Sequence, residues 1–201
     1  MKTIIVGAGI MGLSLAWALS RSGHEVELFE QGSLPNPLAS SMDEHRLIRH
    51  PYGNHIGYAR MIDEAYAAWE LMWSDLGRSH YAATGTLALT GSDADWAGRS
   101  AANLASIGKP MTELGLAELA RRFPMIEPRG VSRAYWIDTG GTLFARDIVI
   151  ALAEHLRRNP RVKLYADTPV RGVDADAGQV VTADGRRAVA DIAREQQSLP
   201  L

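Results

Sequence analysis

The opening stretch, Lys2 to Glu30, constrains the fold of this chain more than any other. Thr3 to Val6 is short, apolar and β-branched; Gly7-Ala8-Gly9-Ile10-Met11-Gly12 follows at once; Leu13 to Arg21 then repeats apolar residues at helical spacing. That order reads strand, glycine turn, helix. Gly23 closes the helix and Glu25 to Phe29 alternates as a second strand. Glu30 stands at its end, about twenty residues past the glycines, where a dinucleotide site puts its acid.

Each position has a mechanical task in such a site. Gly7 permits the tight turn, Gly9 lets the backbone approach a diphosphate, and Gly12 lets the helix pack close to the strand. Ala8, Ile10 and Met11 complete the loop. The diphosphate then rests on the helix N-terminus, where unpaired N–H groups and the positive end of the helix dipole stabilise it. Glu30 is expected to accept hydrogen bonds from an adenosine ribose, and a carboxylate there disfavours the extra phosphate of NADP. The alternative is a glycine-rich turn without a ligand. Strand, helix, second strand and terminal acid in register argue against it.

Composition excludes several classes. A net charge of −2 gives no reason to expect a nucleic acid or an anionic membrane surface as partner. The apolar stretches are too short to span a bilayer. No cysteine occurs, so disulfides, thiolate catalysis and cysteine-ligated metals are excluded within this chain, and a cytoplasmic setting is expected. No metal site is expected. The first strand begins at once, which leaves no room for a removable signal peptide. At 201 residues there is room for one sizeable core or two small domains.

After Glu30 the chain enters a loop, Gln31 to Ser41, with Pro35 and Pro37, where a nicotinamide-binding fold would continue into another helix and strand. Asp43 to Gly53 follows, reading DEHRLIRHPYG. Arg46 and Arg49 either face a bound flavin ring and a substrate carboxylate, for which a planar guanidinium is suited, or form a solvated basic turn paired with Asp43 and Glu44. His45 and His50 read as structural hydrogen-bonders.

The remaining pattern predicts a helix over Met61 to Leu76 with Met61, Ala65, Trp69, Met72 and Leu76 on its inner stripe. Thr84 to Thr90 reads as one strand, and Ser92, Asp93 and Asp95 as caps for a helix up to Ile107. Pro110 to Leu114 is extended, Leu116 to Phe123 helical, and Val131 to Ile137 a strand with Tyr135 and Trp136 on opposite faces. A helix opening at Arg146 or Asp147, a strand at Val162 to Ala166, and a hairpin of Val170 to Asp174 with Gln179 to Thr182 complete an α/β pattern.

These residues resemble the flavin-dependent amine oxidases of the D-amino-acid oxidase superfamily, in particular the monomeric sarcosine oxidase and N-methyltryptophan oxidase branch. The similarity lies in VGAGIMG with its downstream acid, and in Ser40-Ser41 followed by Arg46-Leu47-Ile48-Arg49-His50-Pro51-Tyr52-Gly53. Thr84-Gly85-Thr86-Leu87, Arg122-Phe123-Pro124, Gly140-Gly141-Thr142-Leu143 and the strands around Val170 extend it in order along the chain. The resemblance implies a Rossmann-type FAD-binding α/β domain with an inserted α+β portion of a substrate domain. It implies FAD rather than NAD, with Gly7, Gly9, Gly12, Glu30, Gln31, Ser40 and Ser41 along the ADP part, Arg46 beside the isoalloxazine ring and Val170 near the adenine. Arg49 would hold the substrate carboxylate. The implied chemistry is hydride transfer to the flavin from a carbon beside a secondary or N-methylated amine, imine hydrolysis, and reoxidation by oxygen or another acceptor.

On that resemblance, 1–80 forms the first part of the FAD-binding domain, 81–140 a portion of the substrate domain, and 141–201 the second part of the FAD-binding domain. Family members are longer, so a truncated product with little oxidase activity of its own is expected, and a non-catalytic dinucleotide-binding fragment or a NAD-linked dehydrogenase are the alternatives. The tail 188–201 departs most sharply: from Ala193 it is polar and without strand period, where the family continues as a central strand.

Overall fold

The structure, a computed structural model, describes residues 1–91 and 96–195, the last four by backbone alone. The expected helix caps Ser92, Asp93 and Asp95 lie outside the described residues, as does the tail from 196 onward. The chain begins with β1 (Lys2–Val6), α1 (Ile10–Arg21) and β2 (Glu25–Phe29). It continues through β3 (Arg46–Ile48), α2 (Ile56–Leu76), β4 (Tyr81–Ala83), β5 (Thr86–Thr90), α3 (Trp96–Ser106), β6 (Thr112–Leu114), α4 (Leu116–Arg122), β7 (Arg133–Ile137) and β8 (Gly141–Leu143). It closes with α5 (Ala145–Arg157), β9 (Val162–Tyr165), β10 (Val170–Asp174), β11 (Gln179–Thr182), β12 (Arg187–Val189) and β13 (Ile192–Glu195). Among the described residues no helix is long and apolar enough to cross a membrane.

Two compact units result. The first comprises Met1–Glu44 and the chain from Phe144 on; the second is His45–Leu143. Residues 45–80, grouped with the nucleotide part in the sequence reading, therefore fall in the second unit. The reason is β3, which pairs with β8, Arg46 opposite Leu143 and Ile48 opposite Gly141.

The first unit is built on a parallel sheet in the order β13-β1-β2-β9. Its central strands are buried runs, as a sheet covered on both faces requires. Leu13, Ala16 and Trp17 of α1 and Ile148, Val149, Leu152 and Leu156 of α5 are buried, and the two helices pack against each other. The periodic apolar stripe on each is what fits it to a neighbour. Gly23, at φ +86°, ends α1, with His24 N–H donating back to Leu19 O at 3.0 Å. Beside this sheet lies the antiparallel trio β10-β11-β12, joined to it through a cluster of Ile4, Phe29 and Val180.

The tail differs from expectation. Residues 193–195, which lack a strand pattern, extend parallel to β1, pairing Thr3 with Ile192 and Val6 with Glu195. A ladder is made of backbone groups, so a polar sequence completes the edge of β1. Asp191 starts the alignment: its carboxylate accepts from Lys2 N–H at 2.9 Å and its own N–H donates to Lys2 O at 2.9 Å.

The second unit holds two antiparallel sheets, β3-β8-β4 and β5-β7-β6. The strand expected over 84–90 forms as β5 from Thr86; β4, which the sequence reading did not include, precedes it in the other sheet, and Gly85 lies in the link between them. That glycine has φ +71°, and a Cβ there would lie 2.3 Å from the Trp136 ring. Tyr135 and Trp136 join different clusters, the former with Ala88 and Ala97, the latter with Leu114, Leu119 and Ala134. Helix α2 starts before Met61 and buries Ala59, Ile62, Met72 and Trp73, while Met61 is 56% exposed.

Candidate functional site

In the first unit the residues of the glycine turn sit between the C-terminal end of β1 and α1. Gly7 has φ +97°, and its N–H donates to Phe29 O at 2.7 Å, which ties the turn to β2. Gly9 is the extended N-cap residue, with φ −69° and ψ −180°. The helical ladder begins with Leu13 N–H on Gly9 O at 3.0 Å, so the amides before it lie outside that ladder. The N-cap glycine offers no capping side chain, and no acidic residue occupies the first turn. Ala8 and Gly12 are buried, whereas Met11 is exposed. The N-terminus of a twelve-residue helix with no acid in its first turn, behind a positive-φ glycine, suits an anionic diphosphate.

Glu30 is 6% exposed. Its carboxylate accepts from Ala8 N–H at 2.8 Å, from Gly32 N–H at 3.1 Å and from Asn36 Nδ2 at 2.9 Å. Three donors offset the cost of burying the charge. They use three of the roughly four acceptor positions a carboxylate offers, leaving room for a ribose hydroxyl. The loop after β9 is fastened to the same place, with Thr168 N–H on Glu30 O at 2.8 Å and Asp167 N–H on Gly32 O at 2.8 Å. Val170 follows directly and packs on the Ile4–Phe29–Val180 cluster. Glycine turn, Glu30 and Val170 thus gather at one end of the parallel sheet. Gln31 and Ser40 are exposed and Ser41 half-buried in the intervening loop.

Arg46 and Arg49 belong to the second unit. Arg46 lies on β3, exposed, with its Nη1 donating to His45 O at 3.2 Å. Arg49 is half-buried, its guanidinium carbon 4.7 Å from the Tyr52 ring centre and 4.8 Å from that of Trp96. Its Nη1 donates to Pro51 O. His50, 1% exposed, contacts Thr139 Oγ1 at 2.7 Å through Nδ1 and Asp63 Oδ1 at 3.1 Å through Nε2. Lys109 Nζ shares that Asp63 oxygen at 2.9 Å, and this hydrogen bond is the main cause holding the Asp63 carboxyl below its ordinary range. Tyr66, 3.3 Å from the Tyr81 hydroxyl, has its phenol pushed up, chiefly by burial. A shallow depression of about 240 Å³ in this unit, lined by Lys109, Thr112, Trp136 and Asp138 among others, contains none of the expected site residues. Among the described residues no cluster of metal-ligating side chains occurs.

Two site residues carry no strong sequence signal. Asn36 sits in the proline loop six residues past the acid it binds, an offset too general to single it out. Trp96 reaches Arg49 from 47 positions away, and nothing local marks it.

Residues 2–193 match the family model described as DAO, FAD dependent oxidoreductase. Peroxisomal sarcosine oxidase of Homo sapiens is 31% identical over 156 residues, covering 77% of this chain and 40% of that protein. N-methyl-L-tryptophan oxidase of Yersinia pestis (strain Pestoides F) is 27% identical over 86 residues, 43% of this chain and 23% of the other. Glycine oxidase from Geobacillus kaustophilus shares the fold, with a TM-score of 0.79 at 21% identity over 96% of this chain and 54% of that one. The chain spans well under two thirds of the length of each of these relatives. The glycine turn, the acid bound to it and a family match along almost the entire sequence lead to one assignment: this chain belongs to the FAD-dependent oxidoreductases of the DAO family.

Proposed function

We propose that the chain supplies the FAD-binding part, and a portion of the substrate-binding part, of an oxidase of secondary or N-methyl amino acids. The observation that carries this reading is the Glu30 carboxylate, buried and bonded to Ala8 N–H at 2.8 Å beside a helix N-terminus whose first turn holds no acid. The names of the relatives supply the substrate class.

In this reading the glycine turn Gly7, Ala8, Gly9, Ile10, Met11 and Gly12 lies against the diphosphate, Glu30 takes a ribose hydroxyl, and Gln31, Ser40, Ser41 and Val170 flank the ADP part. When bound, FAD supplies the hydride acceptor, so the protein contributes orientation and electrostatics. Arg46 lends fixed positive charge beside the flavin ring. Arg49 grips the substrate carboxylate through two in-plane N–H donors, an arrangement a lysine does not reproduce. The partners are then a small amine or amino acid and an electron acceptor, oxygen or another. A cytoplasmic setting belongs to the same proposal.

Equilibrium dialysis against FAD and NAD tests the reading. Retention of FAD near one equivalent, with NAD passing through, is expected. Preference for NAD contradicts it.

A further inference from the structure

The turn that follows Arg49 is held by one face of α3. Trp96, Ser100 and Asn103 stand four and three residues apart on that helix, which aligns them in one stripe. Ser100 Oγ accepts from Gly53 N–H at 2.7 Å, and Asn103 Nδ2 donates to Gly53 O at 2.7 Å. The two bonds satisfy both backbone groups of a single residue. Gly53 has φ +57°, and a Cβ there would lie 2.8 Å from Trp96 Cδ1. The glycine therefore admits the indole against the turn, and the Trp96 carbonyl accepts from Ser100 Oγ at 2.8 Å to bind the stripe together.

The same indole meets Arg49, with 4.8 Å from guanidinium carbon to ring centre, while Tyr52 lies at 4.7 Å. Both distances are within the range of a cation–π contact, for which Trp is the strongest partner. Trp96 remains 40% exposed, so burial of the ring does not by itself account for its position. An aromatic ring takes up a guanidinium face and leaves the in-plane N–H donors for an acceptor. The donor bond from Nη1 to Pro51 O fixes the rotation of the fork about its own plane. The side chain is thus oriented by three contacts before any ligand arrives, which lowers the ordering cost of binding.

We propose that Trp96 is the positioning residue of Arg49: locked in place by the α3 contacts with Gly53, its ring sets the direction of the guanidinium and thereby the affinity for a substrate carboxylate. This rests on the reading of Arg49 as a carboxylate clamp. The consequence is selection at one end of the substrate. A ligand with a carboxylate gains from the oriented fork, and its ester or amide does not.

The test is the Arg49 Nε–Hε resonance of the isotope-labelled 201-residue chain, assigned by its loss in Arg49→Lys and followed during titration with acetate. Stacking on the indole shifts that proton upfield. Trp96→Leu is expected to return it toward the position of an unstacked arginine and to weaken acetate binding by about 3- to 10-fold, the worth of a half-exposed cation–π contact. Trp96→Phe retains a ring and is expected to keep most of both effects. Ser100→Ala, which loosens α3 without touching Arg49, is expected to give a smaller change in the same direction. A Trp96→Leu protein with the wild-type resonance and acetate affinity overturns the proposal, as does one whose resonance moves while its affinity stays. If acetate leaves the wild-type resonance unmoved although Trp96→Leu shifts it, the clamp reading of Arg49 is refuted, and with it the claim on affinity.

Discussion

Glu30 and Ala8, 22 residues apart, meet through a 2.8 Å hydrogen bond in which the backbone N–H of the glycine turn donates to a buried carboxylate. The acid that closes β2 therefore helps to build the turn after β1. Its bond to Asn36 extends the same anchor to the proline loop. One carboxylate ties the turn after β1 to the proline loop at the end of the parallel sheet, and its three donors explain how an acid becomes buried there with no cationic partner among the described residues.

Glu30→Gln is expected to lose stability and ligand affinity together. An amide has one acceptor oxygen for three protein donors, and its NH₂ group faces other N–H groups. Leaving one buried donor unpaired costs about 1–3 kcal/mol. Urea unfolding should show a loss of that size. FAD affinity should fall by about tenfold or more, the equivalent of one charge-assisted hydrogen bond.

Gly85→Ala is expected to destabilise the chain by about 2 kcal/mol or more, combining a left-handed backbone with overlap on the Trp136 ring. The new Cβ would sit 2.3 Å from that ring at φ +71°, whereas one at Gly172 meets nothing within 4 Å. Gly172→Ala should stay within about 0.5 kcal/mol of the wild type by thermal unfolding. Equal losses at both positions would contradict the assignment of strain to Gly85.

Gly85 also shows where the sequence stops being legible. The alternation from Thr86 onward is legible as a strand, but β4 before it is not, and what demands a glycine between them is the Trp136 ring, 51 residues on. In α2 the period of the helix is readable but its phase is not. Stripes through Met61 or through Ile62 share Trp69 and Met72, and contacts with the rest of the unit bury Ile62 and expose Met61. The βαβ opening is readable because strand, turn, helix and acid each obey a local rule. The gathering of Gly7 to Gly12, Glu30 and Val170 follows from that topology. Asn36 and Trp96 depend on loop paths and helix docking that no local pattern encodes, and β13 forms from a polar sequence because the pairing is made by backbone.

The ion pair beneath His50 predicts an acid-side dependence. Lys109, through its hydrogen bond, holds the Asp63 carboxyl below its ordinary value of 3.8. A carboxyl lowered on folding contributes stability above that value and loses it as pH falls through the folded value. Asp63→Asn should therefore be less stable than wild type at neutral pH, with the gap closing at pH below about 4. A gap that is unchanged down to pH 2 would contradict this.

Tyr66 predicts the opposite limb. Burial, and then its hydrogen bond to Tyr81, push the phenol above its ordinary value of 10.0. The folded state keeps a proton that the unfolded chain releases, so stability falls as pH rises beyond about 10. Tyr66→Phe should flatten that part of the stability profile, as measured by denaturant midpoints between pH 8 and about 11.

The measurement that bears most directly on the central claim is a titration of the purified 201-residue chain with FAD, following quenching of flavin fluorescence, alongside the Gly9→Val variant. Saturable quenching near one equivalent for the wild type is expected, with loss of at least tenfold in affinity when a branched side chain blocks the backbone's approach to the diphosphate. Equal FAD binding by both proteins, or no saturable binding by the wild type, would contradict the placement of the cofactor on the turn before α1.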